Sequence, residues 1–268
     1  MSDTRPAAVA GSFYPGHAAT LERAVAAYLD AARAPAAPGA PLKAIIVPHA
    51  GYVYSGAIAA SAYALVAGLR GKVTRVVLAG PAHRVYVEGA AVPSAKRFDS
   101  PLGAIELDRA GLDRLCALPF VEVNDAAHAR EHSLEVHLPF LQSVLGHFSL
   151  VPIVVGGASP EQMARLLDVA WGGDETLVVV SSDLSHYMPY EAARVRDRRT
   201  AESILALEAG IDPDEACGAA PINGLLALAR ERHMAVELVD LRNSGDTAGD
   251  RDHVVGYAAF AFREKVPA

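Results

Sequence analysis

The sequence feature that most constrains the fold is a short apolar run that ends in a proline and a histidine. Residues 44–47 read Ala-Ile-Ile-Val, and Pro48 and His49 follow them directly. β-Branched residues favour strands, and a continuous apolar run is typical of a strand that is buried on both faces. Because a proline cannot donate a hydrogen bond to a sheet, it closes the strand, and His49 is expected just beyond the strand end.

Apolar runs of this kind alternate with helical patterns along the chain. Further strands are predicted over residues 75–79, 150–155, 177–180, 236–241 and 253–262. Pro152 lies inside one of these runs and predicts an edge strand or a bulge there. Strands that alternate with helices predict an α/β fold, here a three-layer α/β/α sandwich with a mostly parallel or mixed central sheet. Since no internal repeat or long linker interrupts the pattern, we expect residues 1–268 to form one domain.

Composition narrows the class of function. The net charge of −7 is spread along the chain, and no cluster of Lys and Arg is present to follow a phosphate backbone, so nucleic acid is not expected as a partner. The chain has only two cysteines, far apart in sequence and without Cys-x-x-Cys spacing, so no disulfide framework is expected. This is typical of proteins in a reducing compartment. The first residues lack the apolar core of a signal peptide, and no run is expected to span a membrane. These features predict a cytoplasmic protein.

Four predicted strand ends carry residues that bind metals or transfer protons. They are His49, His83, Asp183 with His186, and Asp246. Open α/β sheets bind their ligands beyond the carboxyl ends of their strands, so these residues are expected to share one site. Two neutral imidazoles and one carboxylate are the ligand set of a mononuclear non-haem Fe(II) site. With the same ligands, Zn(II) would instead activate water.

His186 is the candidate general acid–base of this site. It follows Asp183 by three residues, and a turn between them would let the carboxylate orient the imidazole ring. A histidine held beside a metal-bound hydroxyl is suited to transferring protons. The alternatives are structural roles: Asp183 could cap the helix that follows it, and Asp246 could be an ordinary turn residue in a glycine-rich loop.

A second motif competes with the strand-end site. Residues 128–132 match H-x-x-E-H, the inverted zinc-peptidase pattern, which requires both histidines on one face of a helix. A helix start near Ser133 would leave His128 in a loop, so we favour the strand-end site. The residues that follow are nevertheless expected to line a pocket or to form a buried hydrogen-bond network. The predicted pocket residues are Tyr52, Glu131, His132, Glu135 and His137.

Seven segments together resemble the Memo family. They are residues 5–6, 10–15, 48–56, 80–83, 131–140, 181–186 and 254–259. They occur in the right order over almost the whole chain. The resemblance implies a single α/β domain similar to the class III extradiol ring-cleaving dioxygenases, which hold Fe(II) with two histidines and a carboxylate. It places His49 and His83 on the two histidine ligands and His186 on the acid–base position.

The third ligand implied by the resemblance is Asp246. Animal Memo proteins carry a cysteine at or next to this position, so the chain departs from them here. An oxygen ligand makes Fe(II) the expected metal, with Zn or Cu as alternatives. Prokaryotic members also resemble the Memo component of the AmmeMemoRadiSam system, which implies an AMMECR-like protein and a radical-SAM protein as partners.

Three classes of function stay open at this point. The first is an iron-dependent oxidoreductase, similar to a dioxygenase, that acts on a small catechol-like substrate. The second is a zinc hydrolase. The third is a non-catalytic module that binds a peptide or a partner of the AmmeMemoRadiSam system, since animal Memo proteins are linked to phosphotyrosine peptides. A basic pocket would favour the third class, and Arg84 is the nearest candidate for it.

Overall fold

The structure, a computed structural model, describes residues 3–32 and 40–264. Its strands are β1 (Thr4–Arg5), β2 (Leu42–Val47), β3 (Arg75–Pro81), β4 (Ala90–Val92), β5 (Arg97–Ser100), β6 (Gly103–Glu106), β7 (Val121–Val123), β8 (Ser149–Val155), β9 (Thr176–Ser181), β10 (Ala235–Asn243) and β11 (Gly256–Arg263). Its α-helices are α1 (Ala18–Ala31), α2 (Tyr52–Val66), α3 (Arg109–Leu115), α4 (Asp125–Ala129), α5 (Leu138–Leu145), α6 (Pro160–Ala170), α7 (Tyr190–Leu205) and α8 (Ala219–Glu231). The predicted α/β fold is confirmed.

An eight-stranded mixed sheet forms the centre of the fold, in the order β10-β11-β2-β9-β3-β8-β4-β7. Its four middle strands, β2, β9, β3 and β8, run parallel, with Val47 of β2 opposite Ser181 of β9. The carboxyl ends of these strands therefore meet at one edge of the sheet. Since β9 lies between β2 and β3, residues that follow β2 and β3 flank the end of β9.

Helices cover the central sheet as the apolar pattern of its strands requires. Every residue of β2 and of β9 is buried, which is the pattern of strands with both faces covered. Helices α1, α2 and α5 pack against one another, and α2 lies on β2, β10 and β11. Helices α3, α6 and α8 form a second group, in which α8 lies on β3 and β9. The result is the expected three-layer sandwich. A second, three-stranded sheet of β1, β5 and β6 lies beside it.

One helical stretch is longer and more apolar than the sequence analysis expected. Tyr52–Leu69, which is α2 with the short 3₁₀ turn after it, is long and apolar enough by composition to cross a membrane. In the structure α2 packs against three strands of the central sheet, and half of the stretch is buried. It is a core helix of the sandwich, which explains its apolar composition.

β8 is an inner strand of the central sheet, but Pro152 lies on a stretch of it that is paired on one side only, which is locally the edge environment that the sequence predicted. Pro152 stands opposite Leu78 of β3, in regular parallel register. On its other side β8 pairs with β4 only at Val154 and Val155. In the part of the chain that the structure describes, no strand of the central sheet borders Pro152 on that side, so its missing N–H disrupts no ladder.

Candidate metal centre

Three histidines converge at the carboxyl edge of the central sheet. His49 follows β2 by two residues and His83 follows β3 by two residues, and their ring centroids lie 5.1 Å apart across the end of β9. His132, from the loop after α4, stacks on His83 at 4.6 Å and lies 5.5 Å from His49. One ligand nitrogen from each ring lies within 4.8 Å of the other two, so the three could hold one metal ion.

Glu131 fixes the orientation of His83. Its carboxylate is buried, and it accepts hydrogen bonds from Nδ1 of His83 at 2.9 Å and from the backbone N–H of His83 at 2.6 Å. Because an ionised carboxylate only accepts hydrogen bonds, the His83 proton lies on Nδ1. In the neutral imidazole Nε2 is then a free lone pair, which is the form that binds metals.

Glu131 also holds the loop that carries His132. Its Oε1 accepts the backbone N–H groups of His132 and Ser133 at 2.9 and 3.0 Å. Nδ1 of His132 lies 3.2 Å from the same oxygen, in a contact that does not reach hydrogen-bond geometry. Burial acts to raise the pKa of Glu131, but the hydrogen bonds from His132, His83 and Ser133 outweigh burial and hold the pKa far below its usual range. The carboxylate is therefore ionised.

His49 is the most enclosed member of the three-histidine group. Its Nδ1 lies 2.7 Å from Oγ of Ser181, and its backbone N–H donates to Oδ1 of Asp183 at 2.8 Å. Burial, followed by the neighbouring His83 and His132, lowers the pKa of His49 well below its usual value. The imidazole is therefore neutral, and Nε2 is the nitrogen left to face the other two rings.

A glycine lets the histidine loop approach the strands. A Cβ atom at Gly80 in β3 would lie 2.9 Å from Cδ2 of Leu134, 3.0 Å from Oγ of Ser133 and 3.1 Å from Cβ of Ser181. The hydroxyl of Ser133 instead donates to the carbonyl of Pro81 at 2.8 Å. A side chain at Gly80 would force these groups to move, so the glycine lets the loop after α4 approach the ends of β3 and β9 closely.

Two further groups lie beside Nε2 of His49. Oδ2 of Asp183 is 4.0 Å away and Sγ of Cys217 is 3.4 Å away. Burial raises the pKa of Asp183, against the opposing hydrogen bond from the His49 backbone. Burial and the charge of Asp183 raise the pKa of Cys217 to about 12, so this side chain is a neutral thiol in the metal-free protein. A carboxyl group and a thiol thus border the space in front of His49.

His186 is an exposed residue three positions after Asp183. Its ring centroid is 5.9 Å from that of Tyr187, and a positive charge on its ring would lower the pKa of Asp183 and of Asp197. Tyr187 has a positive φ of 56°, a strained conformation for a residue with a side chain. The backbone therefore turns sharply directly after His186.

Asp246 lies outside the three-histidine group. Its Oδ2 accepts the backbone N–H of Asn243 at 3.0 Å, and its Oδ1 accepts the hydroxyl of Tyr190 at 2.5 Å. It closes the 3₁₀ turn that follows β10, which is the turn role considered above. The physical reason is the strand order and register: β11 separates β10 from β2, and β10 continues past the end of β2. Leu238 and Ile46 both lie opposite Phe260, and Asn243 follows Leu238 by five residues. The end of β10 is therefore farther from the end of β2 than two strand spacings, which are about 10 Å.

The other predicted pocket residues form buried networks behind the histidines. The carboxylate of Glu135 pairs with Arg5 and accepts the backbone N–H groups of Ala8 and Val9, which anchors the N-terminal segment. The hydroxyl of Tyr52 donates to the carbonyl of Val136 at 2.8 Å. His137 lies between Tyr63 and Ser181. The buried-network alternative describes these three residues.

The H-x-x-E-H segment does not form a helical zinc motif. His128 lies on α4, not in a loop as expected, and its Nε2 is 3.0 Å from the carbonyl of Ala91. Helix α4 ends at Ala129, so His132 is not on the same helical face. Burial lowers the pKa of His128 to about 4, which keeps it neutral. His132, by contrast, belongs to the strand-end group.

Sequence reasoning missed three features of this site. It placed His132 among the pocket residues and not with the candidate ligands, and it assigned no role to Ser181 or Cys217. The glycine directly after Cys217 was a weak sequence signal, because a glycine can mark a place where two backbones approach closely. In the structure a Cβ atom at Gly218 would lie 2.6 Å from the carbonyl oxygen of Ser181. That close approach brings the thiol to His49.

Replacing Glu131 by glutamine is expected to weaken metal binding roughly 10–100-fold, the usual cost of losing the partner that orients a metal-binding histidine. The amide NH₂ of glutamine would oppose one of the N–H groups that Glu131 now accepts, so the ring of His83 and the backbone that carries His132 would lose their fixed positions. Competition of each protein against a Zn(II) chelator measures the affinity. Glu106→Gln, at an exposed carboxylate on β6, is the control, and equal affinities in the two variants would contradict the prediction.

The sandwich and its three histidines define an α/β protein with a possible metal-binding group at the carboxyl edge of its sheet. A family model described as "Memo-like protein" matches residues 5–261. The chain belongs to the Memo family.

Relatives agree with this assignment over nearly their full length. A MEMO1 family protein of Metallosphaera sedula is 32% identical over 97% of this chain and 99% of its own. MEMO1 family proteins of Ignicoccus hospitalis and Aquifex aeolicus are 36% and 34% identical, each over 96% of this chain and 98% of their own. Among solved structures, the uncharacterized protein JW3007 from Escherichia coli K12 is 14% identical with a TM-score of 0.54, over 81% of this chain and 99% of that one. At that identity the likeness concerns the fold alone.

Proposed function

We propose that this protein is a metal-dependent oxidoreductase that holds one Fe(II) ion with His49, His83 and His132 and acts on a small catechol-like substrate. The observation that carries the proposal is the convergence of three imidazoles whose ligand nitrogens lie within 4.8 Å of one another. Imidazole is a suitable ligand for iron, copper and zinc alike. His132 thus takes the place that the sequence analysis gave to Asp246.

The protein environment fits a bound cation. Glu131 supplies a buried negative charge behind His83 and His132, and burial keeps the pKa of His49 low, so that its imidazole is neutral at pH 7. Histidine must be neutral to bind a metal. The carboxyl group of Asp183, 4.0 Å from Nε2 of His49, supplies an additional oxygen donor beside the same space. A metal ion bound here would act as a Lewis acid and would orient an oxygen-bearing substrate.

The protein's own residues would position the metal ligands, transfer protons and contact the substrate. Nδ1 of His83 is held by Glu131, and the backbone of His49 is held by Asp183, so the ligand rings are preorganised before any substrate arrives. His186 is exposed, follows Asp183 by three residues, and is suited to take a proton from a substrate hydroxyl. Tyr54 and Tyr187 are both exposed, and both lie near enough to Tyr257 of β11 to raise its pKa. They offer aromatic surface near the carboxyl edge of the central sheet.

A zinc hydrolase is the second candidate. Three histidines with an open fourth position also form catalytic zinc sites, and this ligand set is the observation that favours it. In that case the base for the attacking water would be His186 or Asp183. The identity of the metal distinguishes the two candidates, because zinc does not change its oxidation state.

Metal analysis of protein purified without oxygen tests the proposal. We expect one Fe per chain. The iron should be retained in Asp246→Ala, because the carboxylate of Asp246 accepts hydrogen bonds from Tyr190 and Asn243, and it should be lost in His132→Ala, because His132 belongs to the three-histidine group. One Zn per chain, with no Fe bound after reconstitution, would favour the hydrolase. Loss of metal in Asp246→Ala with full retention in His132→Ala would restore Asp246 as the third ligand and overturn the three-histidine assignment.

A further inference from the structure

We propose that Ser181 is a positioning residue that sets the tautomer of His49 and leaves its Nε2 as a bare lone pair. The inference rests on the proposed metal site but concerns the metal-free protein. It starts from a chain of four hydrogen-bonded, buried polar side chains that ends at His49 of the three-histidine group. In order, they are Tyr63, His137, Ser181 and His49.

The hydroxyl proton of Ser181 is committed to a backbone carbonyl. Oγ of Ser181 donates to the carbonyl oxygen of Ser133 at 2.6 Å. If the proton pointed elsewhere, two oxygen atoms would face each other at that distance without a proton between them. A serine hydroxyl has only one proton, so Ser181 can only accept from its other neighbours.

The other neighbours of Ser181 are two imidazole nitrogens. Nδ1 of His49 lies 2.7 Å from Oγ and Nε2 of His137 lies 2.9 Å from it. Since Oγ has two lone pairs, it can accept from both, and both nitrogens must then carry protons. His49 is consequently the Nδ1–H tautomer when neutral, with no proton on Nε2.

The contacts of Tyr63, at the other end of these four hydrogen-bonded side chains, require the same proton positions. The hydroxyl of Tyr63 lies 3.0 Å from Nδ1 of His137. Burial raises the pKa of Tyr63 well above its usual value, so its hydroxyl keeps its proton and donates to Nδ1. Burial, followed by His132, lowers the pKa of His137 to about 3, so His137 carries a single proton, which lies on Nε2. Each proton of these four side chains then has one acceptor, and Nε2 of His49 is left without a proton.

The position of Ser181 in the sheet explains why it can do this. It is the last residue of β9, opposite Val47 of β2, and His49 follows Val47 by two residues. The side chain is fully buried, so water does not compete for the imidazole. Glu131 performs the same task for His83 with a carboxylate, whereas Ser181 does it with a neutral hydroxyl.

The tautomers can be read directly from ¹⁵N-labelled, metal-free protein. Two-bond ¹H–¹⁵N correlation spectra distinguish Nδ1–H from Nε2–H imidazoles, and His49→Gln and His137→Gln variants assign the signals. We expect the Nδ1–H form for His49 and the Nε2–H form for His137 in the wild-type protein. An Nε2–H form of His49 would overturn the inference without any variant having to fold.

Ser181→Ala supplies the second test. We expect His49 to lose its single tautomer and the affinity for Co(II) to fall roughly 10–100-fold, as for other groups that orient a metal-binding histidine. Thr200→Val is the matched control because its buried hydroxyl donates to the carbonyl of Arg196 and, among residues 3–32 and 40–264, has no other hydrogen-bond partner. An unchanged His49 tautomer in Ser181→Ala would overturn the inference. If the tautomers are as expected but the protein binds no metal, the proposed function is wrong and the role of Ser181 is still supported.

Discussion

Alanine in place of His49 or of His83 is expected to abolish binding of the metal ion. Each substitution removes one of three ligand nitrogens, so the loss should exceed the roughly 10–100-fold that a supporting residue costs. Metal content after anaerobic reconstitution with Fe(II), and in parallel with Zn(II), measures the effect. Both ions should be lost, because both bind through the same imidazoles.

A surface histidine provides the control for this experiment. His147 is exposed and does not belong to the three-histidine group, so His147→Ala should keep one ion per chain. Circular dichroism of each variant separates loss of the site from loss of the fold. Full metal content in a folded His49→Ala or His83→Ala protein would exclude the strand ends as the metal site.

The part of the site that lies on the parallel strands could be predicted from the sequence. The apolar runs before His49 and His83 are local signals, and the carboxyl ends of parallel strands lie at one edge of the sheet. The structure brings these two residues together because β9 alone separates β2 from β3. Their proximity follows from strand type and position, which sequence patterns report well.

The third histidine could not be predicted in the same way. His132 reaches the group because the loop that carries it is fixed by contacts over long sequence separations: the carbonyl of Glu131 accepts from Nη2 of Arg5 at 2.8 Å, and the hydroxyl of Ser133 donates to the carbonyl of Pro81. No local pattern encodes such contacts. Asp246 shows the converse, because it lies near a strand end but the order β10-β11-β2 keeps it away.

Arg5 therefore links the N-terminal segment to the metal site. Its Nε donates to the carbonyl of His128 at 2.9 Å, its Nη2 donates to the carbonyl of Glu131, and its Nη1 pairs with the carboxylate of Glu135. Both members of the ion pair are buried, with exposed fractions of 6% and 0%. Removing one partner of a buried pair leaves an uncompensated charge, which costs far more than the loss of a surface pair.

Arg5→Ala is thus expected to lower the free energy of unfolding by about 3–5 kcal/mol. Arg97→Ala, at an exposed arginine 3.9 Å from Glu106, should lower it by about 0–1 kcal/mol and serves as the control. Urea unfolding of the metal-free proteins measures both values.

The double variant Arg5→Ala/Glu135→Gln identifies the cause of that loss. If the stranded carboxylate of Glu135 accounts for most of the cost, neutralising it should recover part of the stability, so the two substitutions should be less than additive. Glu135→Gln alone still leaves Arg5 paired with the carbonyls of His128 and Glu131. Additive losses would show instead that Arg5 acts mainly through those two carbonyls, and its removal would then disturb His132 and the metal site directly.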